Sequence, residues 1–450
     1  MSSEYRPAQR LYIKREYIPD GKGAYYEERF GVHMDPILIG TVDITRAGKN
    51  CKVLLGDIDG NGRMELVCVQ PDGGIDDRYV PHQVTCVTAF SLTGELLWQV
   101  GTPSEETGGF GSDFPAQIFD IDGDGRLEVL VVMDKTFRVL DGATGQEKRR
   151  HPLPDEMAHD CIIIANLSGN PTPRDIILKN RYFDMWAMDE NFELLWKHHG
   201  NIGHFPLACD INGDGRDEVM AGYDLLSADG KVLWSCKDLE DHADCLWMGD
   251  VNGDGKPELC VGGSVTCLYD GEGNELWRYT GSIESQHVAL GKFLPDSPGL
   301  QIAGLDRIRR GDGYKGQWDG KDGIFLLDSH GEELWKEDRT TPGWLTIVNT
   351  YRNWNGEGED YILAYRRGGG VNPTLYNGKM EEVVVFPADG YVISGDLFDR
   401  GCEETVIYKE GKAWIYSGKP YDLGSAPSGR QIPQTGKLYR STLYPGCVYE

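Results

Sequence analysis

The sequence lacks the features that mark nucleic-acid-binding and membrane proteins. Its 450 residues include 45 lysines and arginines against 72 aspartates and glutamates, which gives a formal net charge of −27. Since nucleic-acid binders draw most of their affinity from clustered Lys and Arg, we expect no nucleic-acid partner. The longest apolar runs, residues 129–133 and 161–165, are far shorter than the roughly 20 residues that span a bilayer, so we expect no membrane partner.

The cysteines and the N-terminal residues also exclude several classes. The eleven cysteines are odd in number, include no Cys-x-x-Cys pair, and lie mostly in apolar, strand-like runs. This pattern favours buried free thiols over a disulfide framework or a zinc knuckle. No apolar stretch typical of a secretion signal follows the first residues. We therefore expect a cytoplasmic protein, and its 40% apolar and 10% aromatic content is sufficient for a large folded core.

An acidic repeat organises the chain. The motif Asp-x-Asp/Asn-Gly-Asp/Asn-Gly begins at residues 57, 120, 210 and 250, and decayed copies begin at 166, 292, 353 and 396. The basic spacing of 40–46 residues is that of a propeller blade, and two longer steps of 63 and 61 residues indicate insertions. Each repeat holds short apolar runs separated by Gly- and Asp-rich turns, without a helical period.

The repeat predicts an all-β fold, an eight-bladed β-propeller of four-stranded antiparallel blades, with seven blades as the fallback. We name the strands of each blade A to D, with strand A nearest the axis. Residues 1–48 are predicted to form an N-terminal extension that closes the propeller, and residues 49–450 the propeller itself. Most blades end in Leu-Trp, and we expect this tryptophan to pack between neighbouring blades rather than to bind sugar.

The acidic loops are candidate cation sites. Carboxylate and amide oxygens at loop positions 1, 3 and 5 begin to wrap Ca²⁺ as an EF-hand does, but here Glu follows at position 9 and a strand comes next. The arrangement therefore resembles FG-GAP and dockerin-like loops, and the alternative is a set of solvated Asp/Asn-Gly turns. We predict structural Ca²⁺ in several loops, with the ligands Asp57, Asp59, Asn61, Glu65, Asp120, Asp122, Asp124, Glu128, Asp210, Asn212, Asp214, Glu218, Asp250, Asn252, Asp254 and Glu258.

Propeller topology predicts where a functional site would lie. The acidic loops join strands A and B, so they share a face with the tight C–D turns. The opposite face carries the variable B–C and D–A connections over a central funnel, and both long insertions, residues 71–82 and 307–322, are B–C connections. We therefore expect the site on this second face.

Four histidines fall at the same repeat position, at the start of strand A: His159, His204, His242 and His287. One histidine near an apolar strand is usually structural, but blade packing does not require imidazole at the axis, whereas acid–base chemistry or a metal site does. Arginines and tyrosines at the same mouth suit an anionic ligand, because guanidinium groups grip carboxylates through two hydrogen bonds.

These residues resemble the rhamnogalacturonan lyases of polysaccharide lyase family eleven, which have an eight-bladed propeller. The run His-Ala-Asp-Cys-Leu-Trp-Met-Gly-Asp at 242–250 is similar to that family's His-Gly-Asp-Ala-Leu-His-x-Gly-Asp. Residues 295–300 and 437–444 are also similar to family segments, and the likeness covers roughly residues 50–445. Trp247 replaces the family's second histidine, and the sequence shows neither an export signal nor the extra length of a typical secreted endolyase, so we expect imported oligosaccharides rather than a long polymer as substrate.

The resemblance implies β-elimination at a uronosyl unit of an acidic oligosaccharide. A base removes the C5 proton, an acid protonates the departing C4 oxygen, and cationic groups neutralise the carboxylate. His242 and His204 are the candidate base and acid, and the wider catalytic set adds His287, His159, Tyr223 and Lys179. The candidate substrate-binding residues are Arg181, Arg366, Arg309, Tyr182, Tyr365 and His82.

Two alternatives remain open. A glycoside hydrolase or another sugar-modifying enzyme on the same propeller would need two opposed carboxylates at the mouth, for which Asp160, Asp241 and Asp244 are candidates. A non-catalytic carbohydrate-binding propeller would bind its ligand without turnover.

Overall fold

The computed structural model describes residues 8–16, 25–71, 84–104, 115–306, 322–339, 347–366, 369–433 and 447–449. Over these residues the chain forms β-strands and one 3-10 turn, Thr45–Ala47. Eight sheets form the blades of a ring, and each contains four antiparallel strands in the order A to D; one of these sheets has a fifth, parallel strand. The prediction of an all-β, eight-bladed propeller is confirmed. Within the ranges given, no helix has the length and apolar character needed to cross a membrane.

The first four blades are built from consecutive strands. Blade 1 contains Lys52–Gly56, Glu65–Gln70, Cys86–Phe90 and Leu96–Gly101. Blade 2 contains Ala116–Phe119, Glu128–Met133, Thr136–Asp141 and Glu147–Pro152. Blade 3 contains Ile162–Ala165, Asp175–Lys179, Asp184–Met188 and Leu194–His199. Blade 4 contains Leu207–Cys209, Glu218–Ala221, Asp224–Leu226 and Val232–Ser235.

The remaining blades follow the same plan until the ring closes. Blade 5 contains Cys245–Gly249, Glu258–Gly262, Thr266–Tyr269 and Glu275–Tyr279. Blade 6 contains Ser285–Gly291, Gln301–Asp306, Asp322–Leu327 and Glu333–Arg339. Blade 7 contains Ile347–Arg352, Asp360–Tyr365, Thr374–Tyr376 and Glu382–Val385. Blade 8 contains Tyr391–Gly395, Glu404–Lys409, Lys412–Ser417 and, as strand D, Ile37–Asp43.

Blade 8 joins the two ends of the chain. Its first three strands come from the C-terminal part, and Ile37–Asp43 pairs antiparallel with Lys412–Ser417. A separate hairpin, Ala8–Glu16 with Tyr25–His33, precedes this strand. The short strand Cys447–Val448 pairs in parallel with strand A of blade 5. The domain boundary at residue 48 itself stays a prediction.

Strands A and B are buried along nearly their whole length, whereas strands D, at the rim, contain both buried and solvent-exposed residues. Strands A of neighbouring blades contact one another around the axis. The approach is close: a Cβ on Gly56 of blade 1 would lie 2.9 Å from Cγ2 of Ile118 in blade 2. The core therefore lies between the faces of adjacent blades.

The tryptophans of strands D bind the neighbouring blade. The indole nitrogen of Trp98 donates to the carbonyl of Gly142 at 2.7 Å, in the C–D turn of the next blade. The turn residue Gly145 has a positive φ, and a Cβ there would lie 2.7 Å from the Trp98 ring, so only glycine fits. The same bond recurs for Trp196, Trp234 and Trp277. The structure confirms that these tryptophans pack between neighbouring blades, although Trp196, Trp234 and Trp277 are only partly buried.

The two faces of the ring are arranged as the repeat predicts. All eight acidic or decayed loops join strands A and B, so they lie on one face. The strands with the candidate histidines begin at the other face. Of the predicted site residues, Arg309 and His82 lie outside the described residues, and so do nearly all residues of both insertions.

Candidate active site

Two of the predicted histidines form a pair at the funnel face. His204 precedes strand A of blade 4 and His242 precedes strand A of blade 5, and their Nε2 atoms are 3.0 Å apart. The backbone N–H of His204 donates to the carbonyl of Ala243 at 3.0 Å, which fixes one segment against the other. Gly203 permits this approach, because a Cβ there would lie 2.7 Å from the same carbonyl oxygen. The repeat thus brings both imidazoles to one point.

Carboxylates hold the pair from two sides. Oδ1 of Asp244 lies 3.5 Å from Nε2 of both His204 and His242. Oδ1 of Asp241 lies 2.6 Å from Nδ1 of His242, so the protonated Nδ1 donates to this carboxylate. Asp241 has the left-handed backbone φ of 63°, and its carbonyl accepts a hydrogen bond from Nδ2 of Asn201. His242 is therefore fixed in orientation and tautomer.

The two rings have pKa values shifted in opposite directions. Burial, together with the positive charge of Arg181, holds the pKa of His204 well below its ordinary value. Burial also lowers the pKa of His242, but Asp244 and Asp241 outweigh this effect and raise it overall. A neutral imidazole therefore stands beside one that readily takes a proton. Such a divergence between neighbouring groups is typical of acid–base sites.

The same atoms could hold a metal ion. The ligand atoms of His204, His242 and Asp244 all lie within 4.8 Å of one another. Burial keeps His204 neutral, so its lone pair is available, and two imidazoles with a carboxylate form a donor set that suits a divalent cation.

Blade 3 supplies a buried cationic wall next to the pair. Nζ of Lys179 lies 2.6 Å from Oδ2 of Asp160, and both side chains are almost fully buried. Lys179 also donates to the carbonyl of Arg181 at 2.9 Å. The Arg181 guanidinium lies 5.2 Å from the ring centroid of Tyr182, and 3.9 Å separates its NH1 from Asp160 Oδ1. Lys179 is therefore buried within this wall, and its catalytic role stays a prediction.

Tyr182 connects this wall to the histidines. Its ring centroid lies 4.8 Å from that of His242 and 5.2 Å from that of His204. Only 8% of Tyr182 is exposed.

The other predicted residues lie around the same face. His159 and His287 are buried, and burial lowers the pKa of His159. The Tyr223 hydroxyl donates to the carbonyl of Glu240 at 3.1 Å, and burial and then Asp244 raise its pKa. Tyr365 is buried in blade 7, two blades away from His242, and Arg366 follows it. The roles of all these residues stay predictions.

Two carboxylates that flank His242 in the sequence lie at the centre of the site. Asp241 and Asp244 are candidates for the hydrolase alternative and are also predicted to orient the His242 ring and raise its proton affinity, and in the structure they hold the histidine pair. The spacing His-Ala-Asp was a usable signal, because residues i and i+2 of an extended segment lie on the same side. Asn201, which fixes Asp241, had no such signal.

The four acidic loops share one internal hydrogen-bond pattern. The first aspartate accepts backbone N–H bonds from the glycines that follow, for example from Gly213 at 2.7 Å and Gly215 at 2.9 Å on Asp210. Asp120 and Asp250 bind their own glycines in the same way. The first aspartate therefore shapes the loop whether or not a cation binds.

The loops differ in what faces their carboxylates. In blade 1, ligand atoms of Asp57, Asp59 and Glu65 lie within 4.8 Å of one another. Burial and then the charges of Asp59 and Asp57 raise the pKa of Glu65 to about 9. This crowding is what a cation would relieve.

In blade 2 an ammonium group lies among the carboxylates. Nζ of Lys148, on strand D, is 2.5 Å from Asp122, 2.8 Å from Glu128 and 3.5 Å from Asp124. The ammonium group thus offsets part of the negative charge of this loop, in which ligand atoms of Asp120, Asp122 and Glu128 also lie within 4.8 Å of one another.

In blades 4 and 5 the amide at loop position 3 donates to the glutamate. Nδ2 of Asn212 lies 2.7 Å from Glu218, and Nδ2 of Asn252 lies 2.8 Å from Glu258.

The fold and site together define a propeller with a His–Asp cluster on the face where strands A begin, and comparisons with known proteins agree with the propeller fold. No family model matches the chain. It is 23% identical over 269 residues to the rhamnogalacturonan endolyase YesW of Bacillus subtilis, and 23% identical over 259 residues to the exolyase YesX of the same organism. These matches cover 46% and 44% of this chain and 42% of each relative, so the matched stretch spans less than half of their length.

Solved structures extend the likeness to the whole fold. The structure of YesX matches 97% of this chain and 80% of its own, with a TM-score of 0.58 and 17% identity. The Vibrio cholerae biofilm matrix protein Bap1 matches 93% of this chain and 99% of its own, with a TM-score of 0.59 and 13% identity. The structural likeness therefore shows the fold alone, while the sequence matches confirm the resemblance to rhamnogalacturonan lyases.

Proposed function

We propose that this protein is a polysaccharide lyase that cleaves a uronate-containing, rhamnogalacturonan-type oligosaccharide by β-elimination. The observation that carries the proposal is the convergence of His204, His242 and Asp244 at the funnel face. The sequence matches to two rhamnogalacturonan lyases support it.

His242 is the proposed proton-transferring group. It is the more exposed of the two rings, with 23% of its side chain exposed against 2% for His204. Asp241 orients it, and His204 lies behind it as the partner that receives or returns a proton through the Nε2 contact. The buried Lys179–Asp160 pair and Arg181 keep this wall cationic.

A divalent cation fits the same centre. His204, His242 and Asp244 would hold it, and when bound it would neutralise the carboxylate of the uronosyl unit and so acidify the neighbouring C–H bond. The acidic loops lie on the opposite face from this centre. For these loops we propose structural Ca²⁺, chiefly in the blade 1 loop.

The cytoplasmic location stays a proposal from the sequence. Eight of the eleven cysteines are buried in the structure, and buried thiols suit a reducing compartment.

The test is the ultraviolet absorbance of the product. Elimination yields a conjugated 4,5-unsaturated uronate, whereas hydrolysis leaves a saturated end. We expect the absorbance to rise when the protein acts on rhamnogalacturonan oligosaccharides. A chelator should abolish this rise only if the His–Asp centre requires a bound cation for catalysis. New reducing ends without absorbance would instead indicate a hydrolase, and binding without either signal a carbohydrate-binding propeller.

A further inference from the structure

Residues 421–432, here called the covering segment, come after strand C of blade 8 and lie over the acidic loop of blade 1. The N–H of Ile432 donates to Oδ2 of Asp57 at 2.7 Å. The N–H of Gly429 donates to the carbonyl of Asn61 at 2.6 Å. Because Oδ2 of Asp57 also accepts from a glycine of its own loop, this aspartate binds the loop and the covering segment at once.

Arg63, at position 7 of the same loop, holds the covering segment at a second place. Its NH1 donates to the carbonyl of Leu423 at 3.1 Å, and its NH2 donates to that of Ser425 at 2.9 Å. Only 7% of Arg63 is exposed, whereas Arg126, at the same position of the blade 2 loop, is exposed to solvent. The covering segment thus connects blade 8 to blade 1 through side chains of the acidic loop.

The loop beneath the covering segment contains two oxygens that lack a donor. Asp57 and Glu65 are at most 1% exposed. Oε1 of Glu65 and Oδ1 of Asn61 are buried, and within the described part of the chain neither accepts a hydrogen bond. A buried oxygen without a donor lowers stability, and a carboxylate oxygen does so most strongly. The covered loop therefore needs a positive partner for these oxygens.

In four other blades the corresponding glutamate oxygen has a donor from the chain itself. The donor is the Lys148 ammonium in blade 2, the Arg400 guanidinium in blade 8, and the asparagine amide at loop position 3 in blades 4 and 5. In blade 1, position 3 is Asp59, whose carboxylate cannot donate to Glu65 and adds a further negative charge. A divalent cation with oxygen ligands fits this place.

We propose that the covering segment docks on the blade 1 loop cooperatively with a divalent cation, so that the ion fastens blade 8 to blade 1. This inference rests on the calcium proposal for the loop and adds the segment to which the ion is coupled. The ion provides the partner that the buried oxygens need, and the covering segment holds the ligand Asp57 in place. Since such coupling is reciprocal, each binding event strengthens the other.

Hydrogen exchange followed by mass spectrometry on the full chain tests the effect of the ion on the covering segment. Relative to chelator, Ca²⁺ is expected to slow exchange of the Gly429 and Ile432 amides about tenfold or more, because their acceptors belong to the ion-binding loop. The amides of Asn191 and Glu193 are the control. They donate to the carboxylate of Asp189 in the C–D turn of blade 3, and their exchange should not change.

Arg63→Ala tests the effect of the covering segment on the ion, because Arg63 binds the segment and is not among the predicted ligands. Loss of a nearby positive charge would by itself tighten calcium binding. Loss of docking should instead weaken it about tenfold, measured by titration calorimetry of chelator-treated protein. Arg126→Ala, at the same position of blade 2, is the matched control and should leave the affinity unchanged. Glu65→Gln identifies the blade 1 site in the titration.

The outcomes separate this proposal from the calcium proposal. Calcium binding that Glu65→Gln abolishes, together with equal exchange of the covering segment in chelator and in Ca²⁺, would overturn the coupling and leave the calcium proposal standing. Equal or tighter calcium binding by Arg63→Ala would also overturn the coupling. If the parent protein binds no Ca²⁺ at the blade 1 loop, both proposals fall. If Arg63→Ala does not fold, the exchange of the parent protein decides alone.

Discussion

Replacing His242 with alanine is expected to lower kcat by about a hundredfold or more on any oligosaccharide that the parent protein cleaves. The reason is geometric: His242 is the exposed member of the pair, and its Nε2 meets both His204 and Asp244. Loss of the ring removes the proton-transferring group or, if the centre holds a cation, one of its ligands, because Nδ1 is bound to Asp241 and Nε2 alone is available for either role. The measurement is steady-state kinetics by product absorbance.

The partner variants show which feature of the centre matters. His204→Ala should also reduce kcat strongly, whereas Asp241→Asn should reduce it less, since the amide oxygen still accepts from Nδ1 of His242. Circular dichroism should be near that of the parent protein for all three variants, whereas His204→Ala should lower the melting temperature because its side chain is only 2% exposed. Near-parental rates for both histidine variants would contradict the site, and the search would move to residues 307–322.

Calcium is expected to raise the melting temperature of chelator-treated protein, mainly through the blade 1 loop. At free Ca²⁺ of about a hundred times the dissociation constant, one site adds about 2.7 kcal/mol to the free energy of unfolding. Asp57, Asp59 and Glu65 provide the oxygens, and their mutual repulsion is relieved by the ion. Differential scanning calorimetry with chelator and with millimolar Ca²⁺ measures the effect.

The pH dependence of this effect has a definite sign. Without the ion, the folded-state pKa of Glu65 is raised from its ordinary 4.5 to about 9, so the folded protein retains a proton that the unfolded chain releases. In chelator, the free energy of unfolding should therefore fall as pH rises from about 4.5 to about 9. Because Ca²⁺ replaces this proton, its stabilising effect should grow over the same range.

Two matched variants assign the effect to one loop. Glu65→Gln should abolish most of the calcium response and flatten the pH dependence in chelator. Glu128→Gln is the control at the same position of blade 2, where the Lys148 ammonium already lies 2.8 Å from the carboxylate, and it should leave the calcium response intact. An identical melting temperature in chelator and in Ca²⁺ would refute the calcium prediction.

The fold could be predicted because each repeat contains the sequence signals for its own strands and turns. The glycines that follow Asp120 or Asp210 sit at fixed offsets, and the loop hydrogen bonds need those offsets. The Leu-Trp pair at the end of strand D also recurs at a fixed place in the repeat, so it predicts the contact between neighbouring blades. These are local rules, so copies of a motif reinforce one another along the chain.

What could not be predicted depends on partners distant in sequence. The blade 2 loop differs from the others because Lys148, on strand D, lies among its carboxylates, and the letters of the motif do not show this contact. In blades 4 and 5, by contrast, the motif's own asparagine donates to the glutamate six residues later. Likewise Lys179, a plausible base in the sequence, is buried against Asp160. A motif fixes the backbone of such a site, whereas its charge balance is set by tertiary neighbours.

Blade 8 combines strands from both ends of the chain, and this arrangement affects how the protein folds. In an open solenoid the end repeats can unravel while the others stay folded, because each contacts only its neighbours. Here Ile37–Asp43 pairs with Lys412–Ser417, so the first blade cannot separate from the last without breaking a sheet. Ring closure joins segments distant in sequence and thus raises the contact order, which slows folding. The ring therefore gains cooperativity, and its blades should unfold together rather than one after another.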